Sequence, residues 1–178
     1  LRFVSGEIGD HVIRLAIRLL GPFEVTLDGE PVTQFETLKT RALLAYLAGE
    51  AGSPHRREAL AEMLWPDRPE GAARANLRHT LANLRAAVGD RPRSEKPATA
   101  LPFLLSTRDT LQLNRAADVW VDTKDFSRFL QAPASTAHLP ITQLEAAARL
   151  YRGCFLEDIT IADSAIFHEW VLLKREGF

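Results

Sequence analysis

The sequence predicts an α+β fold in which a small antiparallel sheet is followed by three helices and a β-hairpin. Three observations predict it. Residues 13–35 alternate apolar and polar side chains with period two, residues 37–89 place apolar side chains at helical spacing, and residues 103–114 hold two β-favouring runs around a turn. The 178 residues, 46% of them hydrophobic, are enough for one good core, or for one core and part of a second.

The predicted sheet is read from its alternation and its turn. Residues 13–19 form the first strand, and residues 23–27 form the second after a Gly-Pro break. The Asp-Gly pair at 28–29 is a strong hairpin signal. Residues 31–35 are therefore the expected returning strand.

Capping residues mark the helices. Thr37 is the expected cap of the first helix, which ends near Gly49 or Gly52. The second is "SPHRREALAEMLWP" (53–66), in which the serine caps, the first proline takes the first helical position and the last proline ends the helix. The third begins after Pro69 and runs to Gly89.

After the third helix the pattern becomes polar and then helical again. Residues 90–102 read as a loop, and residues 103–114 as a hairpin. Beyond Asp122, helices are expected at 125–130, 142–152 and 164–176, with a linker at 131–142.

Charge is distributed unevenly along the chain. Residues 39–93 hold ten Lys or Arg against six Asp or Glu, whereas residues 118–178 hold six against nine. A basic first part and an acidic last part fit an anion-binding module joined to something else. Chance variation in surface charge is the alternative.

The third helix has two unlike faces. Leu77, Leu81, Leu84 and Val88 form an apolar stripe, and the remaining positions carry Arg, Asn, His and Thr, with no acid from residue 74 to 89. Two helices joined by a short turn, the second of them basic, form the helix-turn-helix pattern. Arg can bond two acceptors of guanine, and Asn can pair with adenine. From this helix alone, a DNA-reading face and an ordinary solvated face are equally supported.

Several motifs in order resemble one family. They are "LLGPFEVTLDGEPV", "LKTRALLAYLAG", "RREALAEMLWPD", "ARANLRHTLANLRAAVG" and "LLSTRDTLQLN", then "DVWVDTKDFSRFL", "LEAAARLYRGCFLED" and "FHEWVLLKRE". Residues 13–114 resemble the winged helix of the OmpR/PhoB type. The whole set is similar to the Streptomyces antibiotic regulatory protein (SARP) type of activator, in which a bacterial transcriptional activator domain follows the winged helix.

The resemblance implies an architecture. It implies a winged helix-turn-helix with an N-terminal antiparallel sheet and a C-terminal wing, followed by the first helices of a tetratricopeptide-like all-α domain. Residues 1–11 are then a leader or were added for expression, 12–116 are the DNA-binding domain, and 117–178 are the N-terminal part of a truncated activator domain. The first domain is expected to fold and to bind DNA by itself.

The resemblance also implies a function. It implies sequence-specific binding of double-stranded DNA, with the helix at 70–88 in the major groove and the wing on the backbone. It also implies that tandem subunits, which can form a homodimer on DNA, bind direct repeats and recruit RNA polymerase. Six contacts to DNA are carried over by position: Arg74, Asn76, Arg78, Thr80, Asn83 and Arg85. His79 is added, although its family counterpart often faces the protein.

Three further arginines follow from the residues themselves. Arg56 and Arg57 stand near the start of the middle helix, where the helix dipole favours phosphate. Arg108 lies at the expected tip of the hairpin, from which it can reach the DNA backbone.

Other function classes find little support. The single cysteine, Cys154, excludes an internal disulfide framework and is typical of a reducing compartment, so a cytoplasmic protein without a membrane partner is expected. The histidines show no metal-ligand spacing, and no Gly-rich phosphate loop is present, so no metal, cofactor or catalytic residue is expected. The alternative to a DNA-binding activator is a protein–protein interaction module that uses the same surfaces for docking.

Overall fold

The computed structural model describes residues 15–90, 101–131 and 139–178. The order of elements is β1 (Leu15–Arg18), β2 (Glu24–Leu27), β3 (Glu30–Pro31), α1 (Leu38–Gly49), β4 (His55–Arg56), α2 (Arg57–Leu64), α3 (Glu70–Ala87), β5 (Leu104–Ser106), β6 (Thr110–Leu113), β7 (Val119–Val121), α4 (Asp122–Phe129), α5 (Ile141–Leu150) and α6 (Ala165–Gly177). The predicted sequence of sheet, three helices, hairpin and further helices is confirmed.

The N-terminal sheet has the strand order β3-β2-β1-β7. β1 and β2 are antiparallel, and the turn after β2 places Asp28 and Gly29 at φ values of 52° and 86°. Positive φ at both central residues is what a tight hairpin turn of type I′ requires, so the turn prediction is confirmed. The returning strand is shorter than predicted, because its pairing with β2 ends with the Val32 N–H donating to the Val25 carbonyl at 2.8 Å.

The strand β7 was not predicted. It lies parallel to β1, with Ile17 opposite Val121, although the two strands are far apart in the chain. Immediately after β7, the buried carboxylate of Asp122 accepts hydrogen bonds from the backbone N–H groups of Leu19 and Leu20, each at 2.9 Å. Burial raises the pKa of the Asp122 carboxyl, and these N–H donors oppose that rise. Residues beyond position 116 thus complete the first sheet.

Helix α1 begins where its cap was predicted, but α2 does not. The Thr37 hydroxyl accepts from the Thr40 N–H at 3.2 Å, which confirms the cap. The start of α2 at Ser53 was wrong, because His55 and Arg56 pair with β6 as the short strand β4 and α2 begins only at Arg57. The sheet hydrogen bonds at these two residues exclude helical geometry there.

The predicted hairpin is the antiparallel pair β5–β6. Its base is fastened to the end of α3 by Asp90, whose carboxylate accepts from the N–H groups of Phe103 at 3.0 Å and Leu104 at 3.1 Å. The two ends of the predicted loop 90–102 are therefore close together, because Asp90 bonds the residues that follow the loop. Residues 91–100 lie outside the described part of the chain.

The C-terminal helices pack on the first part of the molecule. Ser164 caps α6 by accepting from the Phe167 N–H at 3.1 Å, and its hydroxyl donates to the Met63 carbonyl on α2. The predicted helices are confirmed with small shifts in their bounds, and most of the predicted linker, residues 132–138, lies outside the described chain. In the described residues no helix has both the length and the apolar character needed to cross a membrane.

A second contact joins α6 to the end of α1. The Trp170 indole N–H donates to Glu50 Oε1 at 2.7 Å, and Lys174 Nζ lies 2.8 Å from the same oxygen. Burial raises the pKa of Glu50, but these two partners outweigh it, so the net pKa is lowered from 4.5. One hydrophobic core runs through both parts of the chain and includes Leu20, Leu47, Phe155 and Phe167. Position 116 therefore does not separate two independently packed cores.

Candidate nucleic-acid interface

The two predicted faces of α3 point in the predicted directions. Ala73, Leu77, Leu81 and Leu84 are buried, and α3 packs on α1 and α2 through this side. Arg78 is exposed on the opposite side, which excludes a reversed orientation of the helix. The apolar stripe read from the sequence is therefore the scaffold that holds a polar face towards solvent.

The centre of the exposed face is formed by Arg78 and His79. Both side chains are exposed, and Ala82 beside them is exposed as well, with Ala75 half-buried one turn earlier. Among the described residues Arg78 has no ion-pair partner. The small side chains of Ala75 and Ala82 leave the Arg78 guanidinium accessible to an anionic ligand.

The predicted contacts on one flank of α3 are less accessible than Arg78. Thr80 is only 8% exposed, so little of its surface is open to a ligand. Asn83 accepts a hydrogen bond at Oδ1 from the backbone N–H of Glu36 at 3.1 Å, and so fixes the chain just before α1. Asn76, which lies four residues before Thr80 on the same flank, is half-buried. The exposed members of the predicted set on α3 are therefore Arg74, Arg78 and His79, whereas Asn76, Asn83 and Arg85 are half-buried.

Arg74 is accessible but not free. Its Nη2 lies 2.6 Å from Glu58 Oε1 on α2 and 2.5 Å from Glu70 Oε1 on its own helix. Arg56 pairs more loosely with the other Glu58 oxygen, at 3.3 Å. Glu58 could not be found from sequence patterns, because its partner Arg74 lies on a different helix and the pairing depends on how the two helices pack.

Arg57 holds the wing. Its Nε donates to the Thr107 carbonyl at 3.1 Å and its Nη2 donates to the Ser106 hydroxyl at 2.5 Å. The backbone N–H of Arg57 also donates to the Asp109 carbonyl at 2.9 Å. Burial lowers the pKa of the Arg57 guanidinium, and the nearby positive charge of Arg85 lowers it further. Arg57 therefore positions the wing against α2. Its contact with phosphate stays a prediction.

The wing tip is a short, internally bonded turn. The Thr107 hydroxyl accepts from the N–H groups of Asp109 at 3.2 Å and Thr110 at 2.9 Å, which leaves Arg108 exposed at the tip. A threonine that bonds the backbone two residues on is a recognised turn device. This local signal is readable from the sequence and explains why Arg108 projects outwards.

Several cationic side chains lie along α3 and the wing. Arg78 and His79 occupy the exposed face of α3, Arg85 lies near Arg57 towards the wing, and Arg108 projects from the tip. Acidic side chains lie at both ends of this surface in the described chain: Glu58 and Glu70 hold Arg74 at one end, and Asp109 is exposed beside Arg108 at the wing tip. Such a surface can approach a polyanion along α3 and the wing.

Comparison with known proteins gives a consistent picture. No protein-family model matches the chain. The transcriptional regulatory protein EmbR of Mycobacterium bovis and that of Mycobacterium tuberculosis are each 32% identical to it, across 82% of this chain and 37% of the relative. A solved structure of Mycobacterium tuberculosis EmbR in complex with a low-affinity phosphopeptide matches with a TM-score of 0.64 and 28% identity, across 92% of this chain and 42% of that one.

The chain thus spans little more than a third of the length of the curated relatives that it matches. Within that span, sequence and structure agree on the same relative, and the fold is a winged helix followed by helices. The chain is homologous to the transcriptional regulatory protein EmbR over most of its own length and shares the fold of that protein in this region.

Proposed function

We propose that the chain is the DNA-binding part of a transcriptional activator that reads duplex DNA with α3 in the major groove. The observation that carries the proposal is the exposed face of α3, where Arg78 and His79 stand among alanines and no acid occurs from residue 74 to 89. Homology to a protein named as a transcriptional regulator supports it.

Each part of this surface is expected to contribute differently to DNA binding. The buried leucine stripe packs α3 on α1 and α2, and this packing fixes the position of Arg78 on the exposed side. A guanidinium in the groove can bond the O6 and N7 acceptors of guanine, and the exposed methyl group of Ala82 suits contact with a thymine methyl. Arg108 at the wing tip reaches the phosphate backbone beside the groove, and backbone contacts of this kind set the register without reading sequence.

Activation requires partners in addition to DNA. The SARP resemblance implies tandem subunits on direct repeats and recruitment of RNA polymerase, and the name of the relative supports a role in transcriptional regulation. The acidic segment from Asp118 onwards is the part of the chain least suited to phosphate, and we assign the protein contacts to it. A homodimer on DNA belongs to the same proposal.

Binding of duplex DNA is tested by anisotropy titration at several salt concentrations. The wild-type chain first selects a duplex from a random pool. Its association constant K for that duplex is expected to fall with salt, and the slope of log K against log salt concentration should be about −0.9 per phosphate neutralised. Arg78→Ala is expected to weaken the selected duplex by about 1–3 kcal/mol and to relax one base position. Arg149→Ala removes an exposed arginine from α5 and serves as the matched control, with wild-type affinity expected.

The alternative, a protein-docking module, predicts different results. It predicts no duplex selected from the pool and no salt-dependent binding of any duplex. If Arg78→Ala and Arg149→Ala behave alike on a selected duplex, the chain binds DNA but the placement of α3 is incorrect.

A further inference from the structure

Four charged side chains form a network where α2 and α3 begin. Glu58 on α2 contacts Arg74 on α3 at 2.6 Å and Arg56 at 3.3 Å, and Glu70 contacts Arg74 at 2.5 Å. Two cations and two anions cancel, so this end of the proposed DNA-reading surface carries no net charge. The remainder of that surface, around Arg78 and the wing tip, is cationic.

The network lies on the proposed recognition helix itself. Arg74 is one turn before Arg78, and its side chain is 47% exposed, so both guanidinium groups can reach the same groove. They differ in their partners: Arg74 has two carboxylates, whereas Arg78 has no ion-pair partner among the described residues. The two arginines are therefore not equivalent towards a polyanion.

The physical consequence concerns the sequence-independent part of affinity. An arginine that exchanges a carboxylate for a phosphate gains little, because one anionic partner replaces another. The carboxylate left behind is then repelled by the same phosphates. A free arginine, by contrast, neutralises a phosphate and releases a counterion.

We propose that Glu58 is a specificity-determining residue that limits binding to arbitrary duplex sequence by holding Arg74, with Arg56 beside it, in ion pairs. The inference rests on the proposed function. Glu58 acts through Arg74 and is therefore a positioning residue that does not itself contact DNA. Glu58 lies on α2 and Arg74 lies on α3, so the ion pair between them depends on how the two helices pack.

The test compares two charge-matched variants. Glu58→Gln removes the restraint, and Glu62→Gln removes an equal charge one turn later on α2, from an exposed side chain without an ion pair in the described chain. Binding to a short duplex of arbitrary sequence is measured by anisotropy over a range of salt concentrations, and circular dichroism confirms that both variants fold.

Glu58→Gln is expected to make the slope of log K against log salt concentration more negative by about 0.9 for each phosphate newly neutralised. For one phosphate, its affinity relative to wild type then rises about 3.5-fold between about 200 mM and about 50 mM salt. Glu62→Gln is expected to leave the slope unchanged. In an Arg74→Ala background, Glu58→Gln is expected to lose most of its effect.

The outcomes separate the inference from the proposed function. If the wild-type chain binds no duplex, the proposed function fails. If the wild type binds and the Glu58→Gln and Glu62→Gln variants have equal slopes, the inference is overturned while the function stands. A full Glu58→Gln effect in the Arg74→Ala background overturns the role of Arg74.

Discussion

Replacement of Asp122 probes a buried polar link between the end of β1 and the start of α4. Its carboxylate is fully buried and accepts from the N–H groups of Leu19 and Leu20, which are themselves 0% exposed. Asp122→Ala leaves these two donors without their acceptor, and the Thr123 N–H, which donates to the same carboxylate at 2.8 Å, loses it as well. Each unsatisfied buried donor costs about 1–3 kcal/mol, so the Leu19 and Leu20 donors alone lower the free energy of unfolding by about 2–6 kcal/mol.

Two considerations refine that magnitude. Burial raises the pKa of Asp122, which means that the buried charge has a cost in desolvation free energy. Removal of the charge removes that cost, so the expected loss in the free energy of unfolding lies in the lower half of the range given above. Asp122→Asn keeps one oxygen able to accept from both donors, and its cost is expected to be about 1 kcal/mol. The free energy of unfolding is therefore expected to be highest for wild type, lower for Asp122→Asn and lowest for Asp122→Ala.

Urea denaturation followed by circular dichroism measures this ordering. Glu145→Ala, an exposed acid on α5, is the control and should lie within about 0.5 kcal/mol of wild type. In thermal melts each kcal/mol corresponds to about 2–4 °C for a chain of this size. The reasoning is refuted if the Ala variant is as stable as the Asn variant, or if both match the control.

Four further predictions follow from the same contacts. Leu81→Ala should cost about 2–5 kcal/mol in urea denaturation and weaken DNA binding only through unfolding; a folded variant with weakened binding would contradict this. Because the pKa of Glu50 is lowered in the folded state, its contribution to stability is present above its ordinary pKa of 4.5 and is lost as the pH falls through the folded value. Wild type and Glu50→Gln should therefore differ at neutral pH and converge in acid, and a constant difference across pH would exclude the ion pair as its cause. Residues 12–116 alone should show a broadened or absent unfolding transition, since the shared core loses β7 and α6; a cooperative transition like that of the full chain would contradict this and would support the predicted boundary. In a double-mutant cycle read by duplex binding, Arg57→Ala should abolish the effect of Arg108→Ala, because Arg57 holds the wing, and additive losses would refute that role.

Features encoded by neighbouring residues were predicted correctly from the sequence. The cap at Thr37, the Asp-Gly turn at 28–29 and the hairpin β5–β6 each depend on contacts within a few residues. The apolar stripe of α3 was equally readable, because helical periodicity alone determines which residues share a face. These local signals were enough to place Leu81 inside and Arg78 outside.

The two short strands β4 and β7 depend on partners elsewhere in the chain. β4 pairs with β6, and β7 pairs with β1 roughly a hundred residues earlier. A strand of two or three residues has no periodicity to detect, and its hydrogen-bond partners are chosen by the packing of the whole domain. The same reason explains why the predicted second helix begins too early, at residues that pair as β4.

The sequence by itself determined that α3 has one apolar and one basic face, and therefore that a cationic helix is offered to solvent. Tertiary structure alone decided which polar residues of that helix are available. Thr80 is buried at the border of the stripe, Asn83 is used by the Glu36 backbone, and Arg74 is held by an acid of α2. Periodicity fixes the direction of a side chain from its own helix axis, but its partner is supplied by whichever neighbouring element packs beside it.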